Sequence, residues 1–178
     1  MKKKILKLLL RHLGVGAGFG VGGYFEVTCY NPDGRVKWRD FAKNIVVNGG
    51  LDHILDVVFH GTTPVSPWYV GLKNSGSPAA GDTLASHSGW TENSNYSDNR
   101  KEFNEAAASG QSITNSANKA SFSITSDSQS IAGAFLCSAA SGTSGTLICV
   151  ADFSSAKSCD NGDTLEVTYT VSAADDGA

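Results

Sequence analysis

Four histidines, four cysteines and 17 carboxylates are the residues of this chain that could do metal, thiol or acid–base chemistry, and their spacing decides which of these is open. The densest group lies in "NGGLDHILDVVFHG", residues 48–61. At about 100° per residue, Asp52, His53, Asp56 and His60 fall within about 100° of one another on a helix. His53, Asp56 and His60, at i, i+3 and i+7, have a spacing that could hold a metal ion. No second cluster of His, Asp or Glu stands ready to complete the shell, so the set reads as the wet side of an amphipathic helix. Asp52 near the N-terminus and His60 near the C-terminus also suit the helix dipole.

The other candidates are weaker. His87 in "ASHSGW" sits beside Ser86 and Ser88, but no GxSxG turn frames a serine nucleophile. Gly18, Gly20 and Gly23 match the GxGxxG spacing by chance within "GVGAGFGVGG". No strand precedes them, and the next segment, "YFEVTCY", reads as a strand where a dinucleotide loop needs a helix. Glu102 and Glu105 in "RKEFNEAA" resemble a carboxylate pair only as any exposed acidic segment does. The expectation is a protein without catalytic, cofactor or metal residues, and not an enzyme.

The cysteines have no CxxC pair and no zinc spacing. Alternation puts Cys29 with Phe25 and Val27, Cys137 with Ile131 and Phe135, and Cys149 with Leu147 and Phe153, so these three should point inward. Cys137 and Cys149, on consecutive strands, could face each other. Cys159, in the turn-like "KSCDNGD", is expected at the surface and is the candidate for an intermolecular disulfide.

The elements that must position these residues are mainly strands. Charged residues are only 17% of the chain while Gly numbers 20, a composition that suits short strands joined by many turns. The net charge of −3 gives no basic field for nucleic acid, and no apolar run is long enough to span a membrane as a helix. "YFEVTCY", the turn "NPDG" and "RVKWRDFAKNIVV" read as a hairpin. Asn48 is the expected N-cap of one short helix whose dry side is Leu51, Ile54, Leu55, Val58 and Phe59, closed by Gly61. "WYVGL" reads as a strand, and residues 73 to about 110 as polar turns with one helical turn in "GDTLASHSGW". "KASFSIT", "SIAGAFLCS", "TLICVADFS" and "DTLEVTYTVS" form a closing meander. The expected fold is mainly β, an antiparallel two-sheet β-sandwich of jelly-roll or Ig-like type, with one short α-helix and an extended N-terminal arm.

That arm, residues 1–23, is basic and leucine-rich, then glycine-rich. Lys2, Lys3 and Lys4 before an apolar run suggest a signal peptide, which would make the chain a secreted carbohydrate-binding sandwich. Lys7 and Arg11 interrupt the apolar core, and no cleavage site follows. The arm reads better as a docking segment, with Lys2, Lys3, Lys4, Leu8, Leu9 and Phe19 as interface residues joined by Trp90 of the globular domain, residues 24–178. Trp68 is expected in the core.

"KNIVVNGGLDHILDVVFHG", "WYVGL", "GDTLASHSGWTE" and "AGAFLCS … GTLICVADFSSAKSCDNGDTLEVTYTVS" together resemble virion structural proteins of tailed bacteriophages, of the capsid decoration (cement) type. The resemblance spans residues 24 to 175. It implies a non-enzymatic module made in the bacterial host cytoplasm and bound to the capsid exterior. Its partners would be the major capsid protein and further copies of itself, with neither nucleic acid nor membrane. A tail, neck or head-fibre component involved in host attachment is the alternative.

Overall fold

In the computed structural model, which describes residues 19–175, the alternating run before "NPDG" belongs to a longer strand, β1 (Phe19–Tyr30). The chain turns where Gly34 N–H donates to Asn31 O at 2.9 Å, and returns as β2 (Val36–Val46). Helix α1 (Asn48–Phe59) follows. Then come β3 (Tyr69–Gly76), β4 (Trp90–Asn93), β5 (Lys101–Glu102), β6 (Ser112–Thr114) and β7 (Ala120–Ser123). Three long strands close the chain: β8 (Gln129–Cys137), β9 (Leu147–Cys159) and β10 (Thr164–Asp175). Residues 19–23, expected within the arm, are thus strand: Phe19 pairs with Asp175 and Gly23 with Val171.

All pairings between these strands are antiparallel, in the order β4-β3-β8-β9-β2-β1-β10-β6, with β5 beside β3 and β7 beside β10. Hydrogen bonding links all ten strands, so the two-sheet sandwich that was expected is not confirmed. The reason is β2: its residues 36–43 pair with β1, and its last three, Asn44–Val46, pair with β9. One strand therefore carries one ladder into the other. The path ends at β4 and β6 and is not closed.

Alternation determines what faces inward. Phe25 and Val27 of β1 join Leu165, Val167 and Tyr169 of β10, and Val70, Leu72, Ala134 and Leu136 of β3 and β8, in one cluster. Phe25 stacks on Tyr169 with ring centroids 4.4 Å apart. Each such ring contributes roughly 1.5–3 kcal/mol by leaving water. A second cluster of Phe135, Cys137, Leu147 and Val150 lies on the opposite face of β8 and β9, which is why "IAGAFLC" is a continuous apolar run. Leu84 and Trp90 cover that face.

Trp90 is therefore core, 3% exposed, and is not an interface anchor. Its indole N–H donates to Asp82 at 2.9 Å, and His87 stacks on it at 4.0 Å. The segment around it, expected as polar turns, contains strands β4 and β5, and "GDTLASHSGW" forms turns rather than a helical turn. Two ion pairs with buried cations support the same region. Lys73, fully buried, pairs with Asp152 and donates to Gly76 O at 2.9 Å. Arg100 grips Glu92 through Nε (2.8 Å) and Nη2 (2.6 Å) and lies 5.3 Å from the Phe135 ring.

Candidate functional site: an apolar cleft beneath a half-exposed helix

Backbone contacts to β9 set the orientation of α1. Val47, not Asn48, is the N-cap residue, and no side chain caps the helix. Val47 N–H donates to Ile148 O at 3.0 Å, and Asn48 N–H to Ala80 O at 2.8 Å. Gly50 lies against β9 so closely that a Cβ there would sit 2.4 Å from Ile148 O. The helix end matches expectation: Gly61 has φ +77°, a left-handed conformation suited to glycine, and Thr62 N–H donates back to Asp56 O at 3.2 Å.

Anchored there, α1 turns His53, Ile54 and Val57 towards the sheet. They roof a cleft of about 330 Å³ whose floor includes Phe103, Leu136, Ile148, Tyr169 and Val171. Trp68 lines it too, half-buried, with its ring edge-on to His53 at 5.4 Å; it packs against the core rather than within it. The expected dry side lies mostly outside. Leu51 (41%), Leu55 (47%), Val58 (63%) and Phe59 (74%) are exposed, beside exposed Asp52 and Asp56, with Val58 also lining the cleft. His53, expected on the wet side, is half-buried on the cleft side, so the helical His/Asp group is divided between two faces.

Polar groups at the cleft floor are few. Tyr169 Oη accepts from Asn44 Nδ2 at 3.3 Å and from the Cys149 thiol at 3.3 Å. Asn44 Oδ1 is buried without a hydrogen-bond partner among the described residues. Burial pushes the Cys149 thiol up to about 12 and holds the Tyr169 phenol well above its usual value. Glu105 lines the cleft, exposed like Glu102, which sits on β5. His87 meets Trp90 O at 3.0 Å through Nδ1, and not a serine.

The one group of three potential metal-ligating side chains among the described residues is elsewhere: Cys29, Cys159 and Asp163, all buried. Cys159 is fully buried, contrary to expectation, because β9 runs to residue 159 and carries it beneath β1. It is therefore unavailable for an intermolecular bond at the surface of this fold. Its Sγ lies 4.0 Å from Cys29 Sγ. The Cys159 sulfur beside it, together with burial, holds the Cys29 thiol far above the ordinary range. Cys137 and Cys149 belong to opposite clusters and do not face each other, because Cys149 pairs with Leu136 and Cys137 with Leu147.

Lys2, Lys3, Lys4, Leu8 and Leu9 lie outside the described residues, as does Gly18; Phe19 opens β1. Sequence reasoning missed the cleft, the buried cations Lys73 and Arg100 with their ion pairs, and the approach of Cys29 to Cys159. The available signal was local: Gly50 at the helix start permits a backbone contact that no larger residue allows.

The features define a mainly β module with one helix, whose concave face is apolar and whose helix carries an uncovered apolar stripe. Among the described residues no helix is long and apolar enough to cross a membrane. Residues 50–172 match the family described as podophage GP4 fiber I protein gp80, and the chain belongs to that family. It is thereby placed among phage virion structural proteins. Neither a curated protein nor a solved structure matches it.

Proposed function

We propose that this protein is a fibre component of a phage particle, a non-enzymatic module that works by protein–protein contact and serves host attachment. The observation that carries this reading is membership of a fibre-protein family across residues 50–172, which takes in α1, the cleft and strands β3 to β9. The contact surface is the α1 stripe of Leu51, Leu55, Val58 and Phe59, since an exposed apolar patch on a rigid element marks an interaction site. Its occupant in this reading is a neighbouring copy of the chain. The basic, leucine-rich residues Lys2, Lys3, Lys4, Leu8 and Leu9 of that copy complement a stripe bordered by Asp52 and Asp56.

The test is to locate the protein on purified particles with a labelled antibody and count its copies. Label on fibres, at a copy number far below that of the major capsid protein, is the expected result. Label spread over the capsid shell at lattice stoichiometry would overturn the fibre reading in favour of a cement protein. For the contact surface, sedimentation of the full chain should show self-association that weakens with salt and is lost without residues 1–18. A monomer at all salt concentrations would refute it.

A further inference from the structure

Cys29 and Cys159 stand 130 positions apart in sequence, yet their sulfurs are in contact at 4.0 Å. Both side chains are fully buried. A disulfide requires about 2.05 Å between sulfurs, so the two must approach by about a further 2 Å to bond. The neighbouring Cys159 sulfur, burial and the nearby Asp163 carboxylate disfavour the Cys29 thiolate, so exchange at this pair needs transient opening. Asp163 Oδ2 lies 3.9 Å from Cys29 Sγ, and the same oxygen accepts from the Lys37 ammonium at 2.7 Å and from Asp160 N–H at 2.9 Å. That ammonium already occupies the carboxylate a metal would need. A closed zinc site takes four donors, whereas this group supplies three.

We propose that Cys29 and Cys159 form a latent intramolecular disulfide, open in the reducing cytoplasm and closed by small-molecule disulfides once the particle is outside the cell. In the net step one small-molecule disulfide is reduced to two thiols. The two protein thiols give up two protons and two electrons and become one S–S bond, through a mixed-disulfide intermediate. The bond ties β1 to the end of β9. It closes a loop of 130 positions, long enough for a large restriction of the unfolded chain. The timing of closure rests on the reading as a virion component; the cross-link itself does not.

The experiment uses the full chain, reduced or incubated with oxidised glutathione, both in buffer and in urea just below the unfolding transition so that buried thiols become accessible. Free thiols are then alkylated and the protein is digested without reduction for mass spectrometry. The expected product is a Cys29–Cys159 linked peptide with Cys137 and Cys149 alkylated, and a Tm raised by on the order of 10 °C. The rise should vanish with reductant and be missing in Cys29→Ser and Cys159→Ser. No link under either condition, a link between other cysteines, or a lowered Tm would overturn the proposal. So would zinc ions raising Tm and protecting both thiols from exchange, which would make the pair a metal site. In protein alkylated inside cells before lysis the pair should be open, and in purified particles closed. A link already present before lysis would refute the latency while leaving the fibre reading untouched.

Discussion

Replacing Arg100 with Met tests whether the buried Glu92–Arg100 pair organises the region between β4 and β8. The guanidinium side chain is 3% exposed and that of Glu92 is 27% exposed. Besides its two bonds to Glu92, Arg100 donates to Ala139 O at 2.9 Å and to Gly142 O at 2.8 Å. Met fills much of the same volume, so the loss is mainly electrostatic: one carboxylate and two carbonyl oxygens are left without their donor. Breaking a buried pair from one side costs roughly 3–5 kcal/mol, and the partial hydration of Glu92 puts this case near about 3 kcal/mol. That is a large share of a typical total of about 5–15 kcal/mol. Urea unfolding followed by far-UV circular dichroism should show the midpoint falling by roughly 1–3 M. Combining Arg100→Met with Glu92→Leu removes the orphaned charge and should recover part of the loss, giving a coupling energy of about 2 kcal/mol. An Arg100→Met protein within about 1 kcal/mol of the parent, or a double mutant whose losses simply add, would show that water already screens the pair and would refute its organising role.

Gly50→Ala should destabilise by roughly 1–3 kcal/mol, read as a lowered Tm, because its Cβ would meet Ile148 O at 2.4 Å and push α1 off β9; an unchanged Tm would mean the helix is not anchored there. Val58→Ser with Phe59→Ser should change stability by less than about 0.5 kcal/mol, since both are mostly exposed, while abolishing self-association in sedimentation. Burial works against the Asp40 carboxylate, yet hydrogen bonds from Ser154, Lys157 and Phe41 N–H hold it below its usual value. A carboxyl lowered in the folded state stabilises fully above the unfolded value and loses that contribution as pH falls below about 4. Asp40→Asn should therefore flatten the acid limb of the stability profile, and an unaltered limb would remove Asp40 from that role.

The β content, the opening hairpin, the helix and the four closing strands were legible because each carries its own period and turn residues. Those strands are not the expected meander: only β8 and β9 pair in sequence, while β7 joins β10 and β10 joins β1. Phe25, Val27 and Cys29 alternate inward, and Gly61 stops the helix. What stayed hidden depends on contacts distant in sequence. The count of sheets turned on β2 changing partner after Lys43, which no alternation reveals. Strand β9 runs on through the polar "SSAKSC" because β8 supplies a ladder as far as Gln129 opposite Cys159, so a stretch that reads as a turn is strand and its cysteine is buried. Trp90 reads as an anchor in a polar loop, but that loop covers the outer face of β8. Lys73 and Arg100 give no sign of burial in sequence, since the acids they pair with lie on other elements.

The helix shows most plainly how local pattern and fold compete. By hydrophobicity alone, α1 would bury Leu51, Leu55, Val58 and Phe59. Two backbone contacts at its first turn, Val47 to Ile148 O and Gly50 against the same carbonyl, instead fix its rotation so that His53, Ile54 and Val57 face the sheet. Such an orientation leaves four large apolar side chains in water, each forgoing on the order of 1 kcal/mol of burial. A monomer gains nothing from that arrangement, whereas an assembly recovers it when a second chain covers the stripe. The mismatch between the helix's sequence and its seat on β9 is thus the physical reason for the proposed contact surface on α1, which meets the cleft at Val58.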